Sequence, residues 1–147
     1  MEIRQATAAD QEAVISHWKI LLEFYNKKSP DEVLQRSFRF TLDNPQQVQV
    51  FVVEDDGVIK GTASLHKGHY STWHDNWYGH IEDVVVDPQC RGQGLAYNLL
   101  CHVIETAREQ GLSRIELNAL NTNHNARRLY EKLGFITQSV VYELDFN

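Results

Sequence analysis

Residues 79–111 read GHIEDVVVDPQCRGQGLAYNLLCHVIETAREQG, and this stretch decides the fold. It opens with an apolar, β-branched run, Ile81 to Val86. A turn at Asp87-Pro88 follows, then Arg91, Gly92 and Gly94 in quick succession, then a long amphipathic segment that Gly111 stops. The order strand, glycine-rich turn, helix has a physical use. A helix N-terminus leaves backbone N–H groups without intrahelical acceptors, and its dipole is positive there. Glycines let the backbone adopt φ > 0 and come close to a bulky group. The product is a cradle for an anion such as a phosphate or pyrophosphate, with a tight strand-to-helix turn as the plain alternative. No Gly-Lys-Ser/Thr follows the glycines, so the loop of nucleotide triphosphatases does not fit. The three-glycine dinucleotide spacing is also absent.

The surrounding chain reads as a mixed α/β sheet with helices on both faces. Glu2 to Gln5 is a short strand, and Thr7 with Asp10 forms a capping-box-like start to a helix of about Ala8 to Tyr25. That helix places Ala13, Val14, His17, Trp18, Leu21, Leu22 and Tyr25 on one face. Ser29-Pro30-Asp31-Glu32 starts a second helix, with Ser29 as N-cap, which ends near Asn44-Pro45. Val48–Glu54 and Val58–Lys67 flank Asp55-Asp56-Gly57, a hairpin signal, and Gly61 suggests a bulge or close backbone approach. His66 to Tyr78, rich in histidine and aromatics, reads as a strand end and a loop. Leu95, Leu99, Leu100, Val103, Ile104 and Ala107 form the buried face of the long helix. Arg114 to Ala119 is a strand, parallel to Ile81–Val86 by a right-handed crossover. Asn121 to Leu133 is the last helix, closed by Gly134, and Phe135 to Phe146 reads as a terminal strand or a broken pair.

At 147 residues the chain reads as a single domain, 1–147. A net charge of −6 argues against nucleic acid and suits a cationic or amine partner. No apolar run approaches the roughly 18 residues of a membrane span, and the amino terminus lacks a signal-peptide layout. Two cysteines, Cys90 and Cys101, provide neither a disulfide framework nor zinc spacing, so a reducing cytoplasm is expected. His66, His69, His74, Asp75 and His80 cluster in sequence, but a metal site is not expected, because zinc needs converging ligands with a supporting shell.

Gln89-Cys90-Arg91-Gly92-Gln93-Gly94-Leu95-Ala96 resembles the acyl-CoA pyrophosphate loop, Gln/Arg-x-x-Gly-x-Gly/Ala, of the GCN5-related N-acetyltransferase superfamily. Asn123 to Phe135, NHNARRLYEKLGF, resembles that superfamily's last helix and the strand after it. The two matches stand in the family's order. The resemblance implies a mostly antiparallel sheet with a central splayed parallel pair, and acetyl transfer from acetyl-CoA to a primary amine in a ternary complex. It assigns the cofactor's phosphates to Arg91, Gly92, Gln93, Gly94, Leu95 and Ala96, and its pantetheine to the main chain of Val84, Val85 and Val86. A main-chain amide there, that of Val84, would donate to the oxyanion. Asn123 would reach the cofactor backbone, with a helix cap as its plain alternative. Tyr130 would be the general acid for the departing thiolate and would also touch the cofactor.

The base is less defined. Glu82 and Asp83 are the candidates. Being adjacent on a strand they should point to opposite faces, so that one of them faces the cleft. Glu82 is preferred, acting through a water, with a structural ion pair as the other reading. Gly79-His80-Ile81-Glu82-Asp83 looks like glucosamine-phosphate N-acetyltransferases, yet Asn118 to Asn121 lacks the acidic residues of that family. Relatives resembling ribosomal-protein alanine acetyltransferases carry a Glu where this chain has Asn118. Trp73, Trp77 and Tyr78 are candidates for an amine-lining surface through cation–π contact. The acceptor stays open between an amino-sugar phosphate and other small or peptide amines. A non-catalytic acyl-CoA-binding module is the alternative from another class, and a homodimer through terminal strands or sheet faces is the assembly the resemblance implies.

Overall fold

The computed structural model describes residues 1–146. By internal contacts the chain forms two units, Met1–Glu116 and the segment from Leu117 onward.

The first unit is built on a sheet in the order β1-β2-β3-β4-β5. Its strands are β1 (Glu2–Gln5), β2 (Val48–Asp55), β3 (Val58–Ser71), β4 (Asn76–Val86) and β5 (Ile115–Leu117), the last running across the division between the units. β1 to β4 are antiparallel, and β4–β5 is the parallel pair. The helices are α1 (Gln11–Phe24), α2 (Asp31–Asp43) and α3 (Leu95–Glu109). Asp56 and Gly57 both have φ > 0, at 51° and 73°, so a two-residue turn whose twist suits a hairpin joins β2 to β3.

Alternation along β2 sorts the two faces. Val50 and Val52 join α1 and α2 through Val14, Ile15, Trp18, Leu34 and Phe38. Trp18 meets Phe38 edge to face at 6.0 Å. Phe51, on the opposite face, meets His102 of α3 at 5.6 Å. Helices therefore cover both faces, as the strand alternation requires. α3 buries Leu95, Leu99, Leu100, Val103 and Ala107, while Ile104 is half-buried. Fully burying a side chain of this size contributes roughly 1.5–3 kcal/mol, which is why the apolar stripe and the helix agree.

Several expectations change. The first helical segment splits into a 3-10 turn at Ala8–Asp10 followed by α1, and Tyr25 is exposed. Asp10 accepts from the Thr7 N–H at 2.7 Å, the acidic half of the expected capping box. α2 takes Pro30 rather than Ser29 at its N-cap, with no side-chain bond, because the Val33 and Leu34 amides bond to the Pro30 carbonyl. His66 to Tyr78 is not a loop. β3 runs on to Ser71 and returns as β4 from Asn76, because cross-strand pairs such as His69–Tyr78 and Tyr70–Trp77 sustain the ladder. A Cβ on Gly61 would lie 2.9 Å from the Val85 carbonyl oxygen, the close approach expected there.

The second unit holds α4 (His124–Lys132). Asn123 caps it, its side-chain oxygen accepting from the Ala126 N–H at 3.2 Å. Gly134, at φ 92°, ends it, and the Phe135 N–H returns to the Tyr130 carbonyl at 3.0 Å. The terminal strand expected over 135–146 is not formed among the described residues. Ile136, Val140, Tyr142, Leu144 and Phe146 are largely exposed. A strand exists only by bonding to a partner strand, so alternation alone does not produce one.

Candidate active site

The cluster forms where β3 and β4 lose register. Thr62 pairs with Val85 and Ser64 with Glu82, so one residue of β3, Ala63, faces two of β4, Asp83 and Val84. Asp83 absorbs the extra residue in a left-handed conformation, φ 54°. Aspartate tolerates this region better than most side chains, at some cost in strain. The bulge overturns the expectation that Glu82 and Asp83 point to opposite faces. One oxygen of each carboxylate and a ring nitrogen of His66 all lie within 4.8 Å of one another.

The neighbours are polar and partly buried. Ser64, 1% exposed, has its hydroxyl 3.0 Å from Asp83 Oδ2 and 3.0 Å from the Glu82 carbonyl oxygen. Its oxygen is 3.3 Å from His66 Nε2. His66 Nε2 is 3.8 Å from Glu82 Oε2, and His80 Nε2 is 3.7 Å from Glu82 Oε1. Burial pushes the Asp83 carboxyl above its ordinary pKa; Ser64 opposes this, the Glu82 charge adds to it, and His66 opposes it. Ser64, His66 and His80 surround the two carboxylates, and His66, Glu82 and Asp83 each bring one possible metal-ligating atom to the group. The register pairs Ser64 with Val50 across β2–β3, which puts the cluster on the face covered by α1 and α2.

On the same strand, β4 carries Val84, half-buried, and Val85 and Val86, buried. Backbone bonds from the Gly79 N–H to the Arg114 carbonyl and from the Ser113 N–H to the Trp77 carbonyl tie the early part of β4 to the approach to β5. Past β4, Arg91, Gly92, Gln93 and Gly94 are exposed, and Leu95 and Ala96 open α3. Gly92 and Gly94 both have φ 77°, and nothing lies within 4 Å of a Cβ built on either. The first main-chain bond closing the helix runs from the Asn98 N–H to the Gly94 carbonyl at 3.0 Å. Amides ahead of it have no intrahelical acceptor and remain available to an anion.

Asn123 and Tyr130 belong to the second unit, where Asn123 is the α4 cap and Tyr130 meets Phe135 at 6.1 Å. Arg127 donates to the Asn121 carbonyl and Arg128 to the Asn125 side chain.

Of the three aromatic candidates for an amine-lining surface, Trp73 and Trp77 are exposed, whereas the Tyr78 ring already has partners on both sides. Tyr78 has Arg114 3.8 Å above its ring and stacks on His69 at 5.2 Å. Trp73 stands at the hairpin tip, 88% exposed, and Tyr70 meets Trp77 at 5.4 Å. A cleft of about 280 Å³ between α1 and α2 is lined by Gln11, Glu32, Gln35, Arg36 and Arg39, none of them a candidate site residue from the sequence. Ser64 was not foreseen either; its only signal is a hydroxyl inside the apolar run Thr62 to Leu65. On α1, His17 is buried and its Nδ1 lies 2.7 Å from the Ala13 carbonyl oxygen.

No helix among the described residues is long and apolar enough to cross a membrane. A family model described as acetyltransferase (GNAT) family matches residues 14–135. An aminoalkylphosphonate N-acetyltransferase of Salmonella typhimurium is 29% identical over 91% of this chain and 84% of its own length. A thialysine N-epsilon-acetyltransferase of Caenorhabditis elegans is 33% identical over 92% of this chain and 82% of its own. A protein of Clostridium acetobutylicum described as a predicted acetyltransferase, solved with acetyl-CoA, shares the fold at a TM-score of 0.81 and 24% identity, over 98% of this chain and 95% of that one. The chain belongs to the acetyltransferase (GNAT) family, whose members typically use acetyl-CoA.

Proposed function

We propose that the chain moves the acetyl group of acetyl-CoA to the primary amine of a small molecule by direct attack in a ternary complex, the whole chain serving as one catalytic domain. The observation that carries this reading is the turn before α3: two left-handed glycines, exposed, with open space where side chains would stand. Amides of Arg91 to Ala96 hold the pyrophosphate, and Arg91 adds charge. The main chain of Val84 to Val86 aligns the pantetheine arm, and the Val84 amide donates to the oxyanion.

The amine must lose a proton before it attacks. Glu82, exposed on the α1–α2 face, takes it directly or through one water, while Asp83 keeps its own proton more tightly because it is buried. Attack on the thioester carbonyl carbon forms the C–N bond and breaks the C–S bond. Tyr130 returns a proton to the departing sulfur. A thiolate needs little help, so this last contribution is modest.

The acceptor class is drawn from the relatives, which act on an aminoalkylphosphonate and on thialysine. Both are small amines. Cys90 and Cys101 are free thiols, which suits a reducing cytoplasm. The exposed apolar side chains between Ile136 and Phe146 support a homodimer, and the negative net charge argues against a nucleic-acid partner. Thiol release from acetyl-CoA across aminoalkylphosphonates, thialysine, polyamines, amino sugars, aminoglycosides and peptide amino termini tests the reading. Turnover with one or more small amines is expected. Tight coenzyme A binding with no thiol release for any amine would leave a binding module instead.

A further inference from the structure

We propose that His66 is the proton shuttle that carries the amine's proton from Glu82 to solvent. The inference rests on the acetyltransferase reading and adds a residue that no sequence match assigned to the reaction.

The reaction has a proton to dispose of. A primary ammonium and acetyl-CoA become an amide, a free thiol and one proton. The ammonium gives its first proton to Glu82, and the nitrogen loses its second after attack. Tyr130 protonates the sulfur and is itself reprotonated from that second proton. One proton remains on Glu82 and must leave before the next turnover. Glu82 is half-exposed in the free protein, but an amine bound over its carboxylate covers that open side. While that side is covered the exit runs through a neighbour, which resets the carboxylate before the product leaves.

Two imidazoles flank Glu82, at nearly equal distances and in unequal surroundings. His80 Nε2 stands 3.7 Å from Oε1, but only 15% of its side chain is exposed, and its ring lies beside that of His69 at 6.4 Å. It can hold Glu82 in place but has the poorer route to water. His66 Nε2 stands 3.8 Å from Oε2 with 39% of its side chain exposed. One bridging water or a small rotation closes that gap, and the other ring nitrogen can release a proton to solvent. Histidine suits the task because its ring has two nitrogens, so a proton taken up on one can be released from the other. Ser64, 3.3 Å from Nε2, steers the ring from beneath, and its buried hydroxyl also reaches Asp83. Asp83 is the poorer exit because it is buried and holds its proton tightly.

The test is chemical rescue. Wild-type, His66→Ala and Glu82→Gln proteins are assayed at low buffer concentration with saturating acetyl-CoA and the best amine of the panel, with and without added imidazole. His66→Ala should lose about tenfold or more in kcat with little change in KM, and imidazole should restore most of it. Glu82→Gln should lose more and gain nothing from imidazole. His66 is on the surface, and an unchanged melting temperature will show that its removal leaves the fold intact. An undiminished kcat in His66→Ala, or a loss that imidazole does not repair, overturns the shuttle while leaving the acetyltransferase reading in place. Absence of thiol release by the wild-type protein overturns both.

Discussion

Glu82 and Asp83 are consecutive residues of one strand, yet their carboxylates share a face and lie within 4.8 Å of each other. The cause is the single left-handed residue, Asp83, at a β-bulge. Two acidic groups this close repel when both are ionised, so their environments divide the work. Glu82 is exposed between two imidazoles, whereas Asp83 is buried against Ser64. Burial raises the proton affinity of Asp83, and the proposed reading therefore gives the mobile proton to Glu82.

Replacing Asp83 by Asn should stabilise the protein, and more so as the pH rises. Burial raises the Asp83 pKa above its ordinary 3.8, so the folded state binds this proton more tightly than the unfolded chain. The ionised group therefore costs stability that first appears above 3.8 and is complete once the pH passes the raised value. Urea titrations of both proteins should diverge across that window and run parallel below it. A constant gap across all pH values would sink the assignment.

The ion-paired corner at the start of the chain should show the opposite sign. Arg4 grips both oxygens of Asp10, at 2.7 and 3.0 Å, and reaches Glu54 at 2.6 Å. The guanidinium holds the Asp10 pKa down, from 3.8 to about 2. A carboxylate with a lowered pKa contributes stability that is full above 3.8 and lost as pH falls through about 2. Asp10→Asn should cost about 2 kcal/mol at neutral pH, a value that shrinks toward zero in acid. Equilibrium unfolding at several pH values measures it.

Gly94→Ala should weaken coenzyme A binding more than it harms the fold. At φ 77° an alanine is strained by roughly 1–2 kcal/mol. The added methyl meets no protein atom within 4 Å, so it projects into the space assigned to the phosphates. Calorimetric titration with coenzyme A should show a loss of about tenfold or more beyond any drop in melting temperature. Unaltered affinity would remove the turn from the cofactor site.

Tyr130→Phe should lower kcat by about tenfold and leave the KM for acetyl-CoA nearly unchanged, because the hydroxyl acts on the sulfur only as the C–S bond breaks and the thiolate needs little help. The loss should shrink with a more acidic thiol leaving group. Steady-state rates with acetyl-CoA and an acetyl aryl thioester provide the comparison, and equal rates for both enzymes would retire Tyr130 as the acid.

Much of the fold could be read from local physics. Asp56-Gly57 and Gly92 to Gly94 demanded turns because few residues adopt φ > 0 cheaply, and the structure has positive φ at Asp56, Gly57, Gly92 and Gly94. The stripe from Leu95 to Ala107 required a helix with one face buried. What misled was any pattern whose meaning depends on a partner. Phe135 to Phe146 alternates like a strand but has no ladder, and His66 to Tyr78 looks like a loop but pairs with itself.

The chain's own letters determined the strand–turn–helix, its left-handed glycines and the family to which it belongs, because these follow from torsional preferences and residue order within a few positions. Tertiary structure alone decided that Glu82 and Asp83 would share a face, with Ser64, His66 and His80 brought from separate positions to surround them. A bulge is a difference in residue count between two strands, so it exists only once β3 and β4 are paired, and no reading of β4 by itself reveals it.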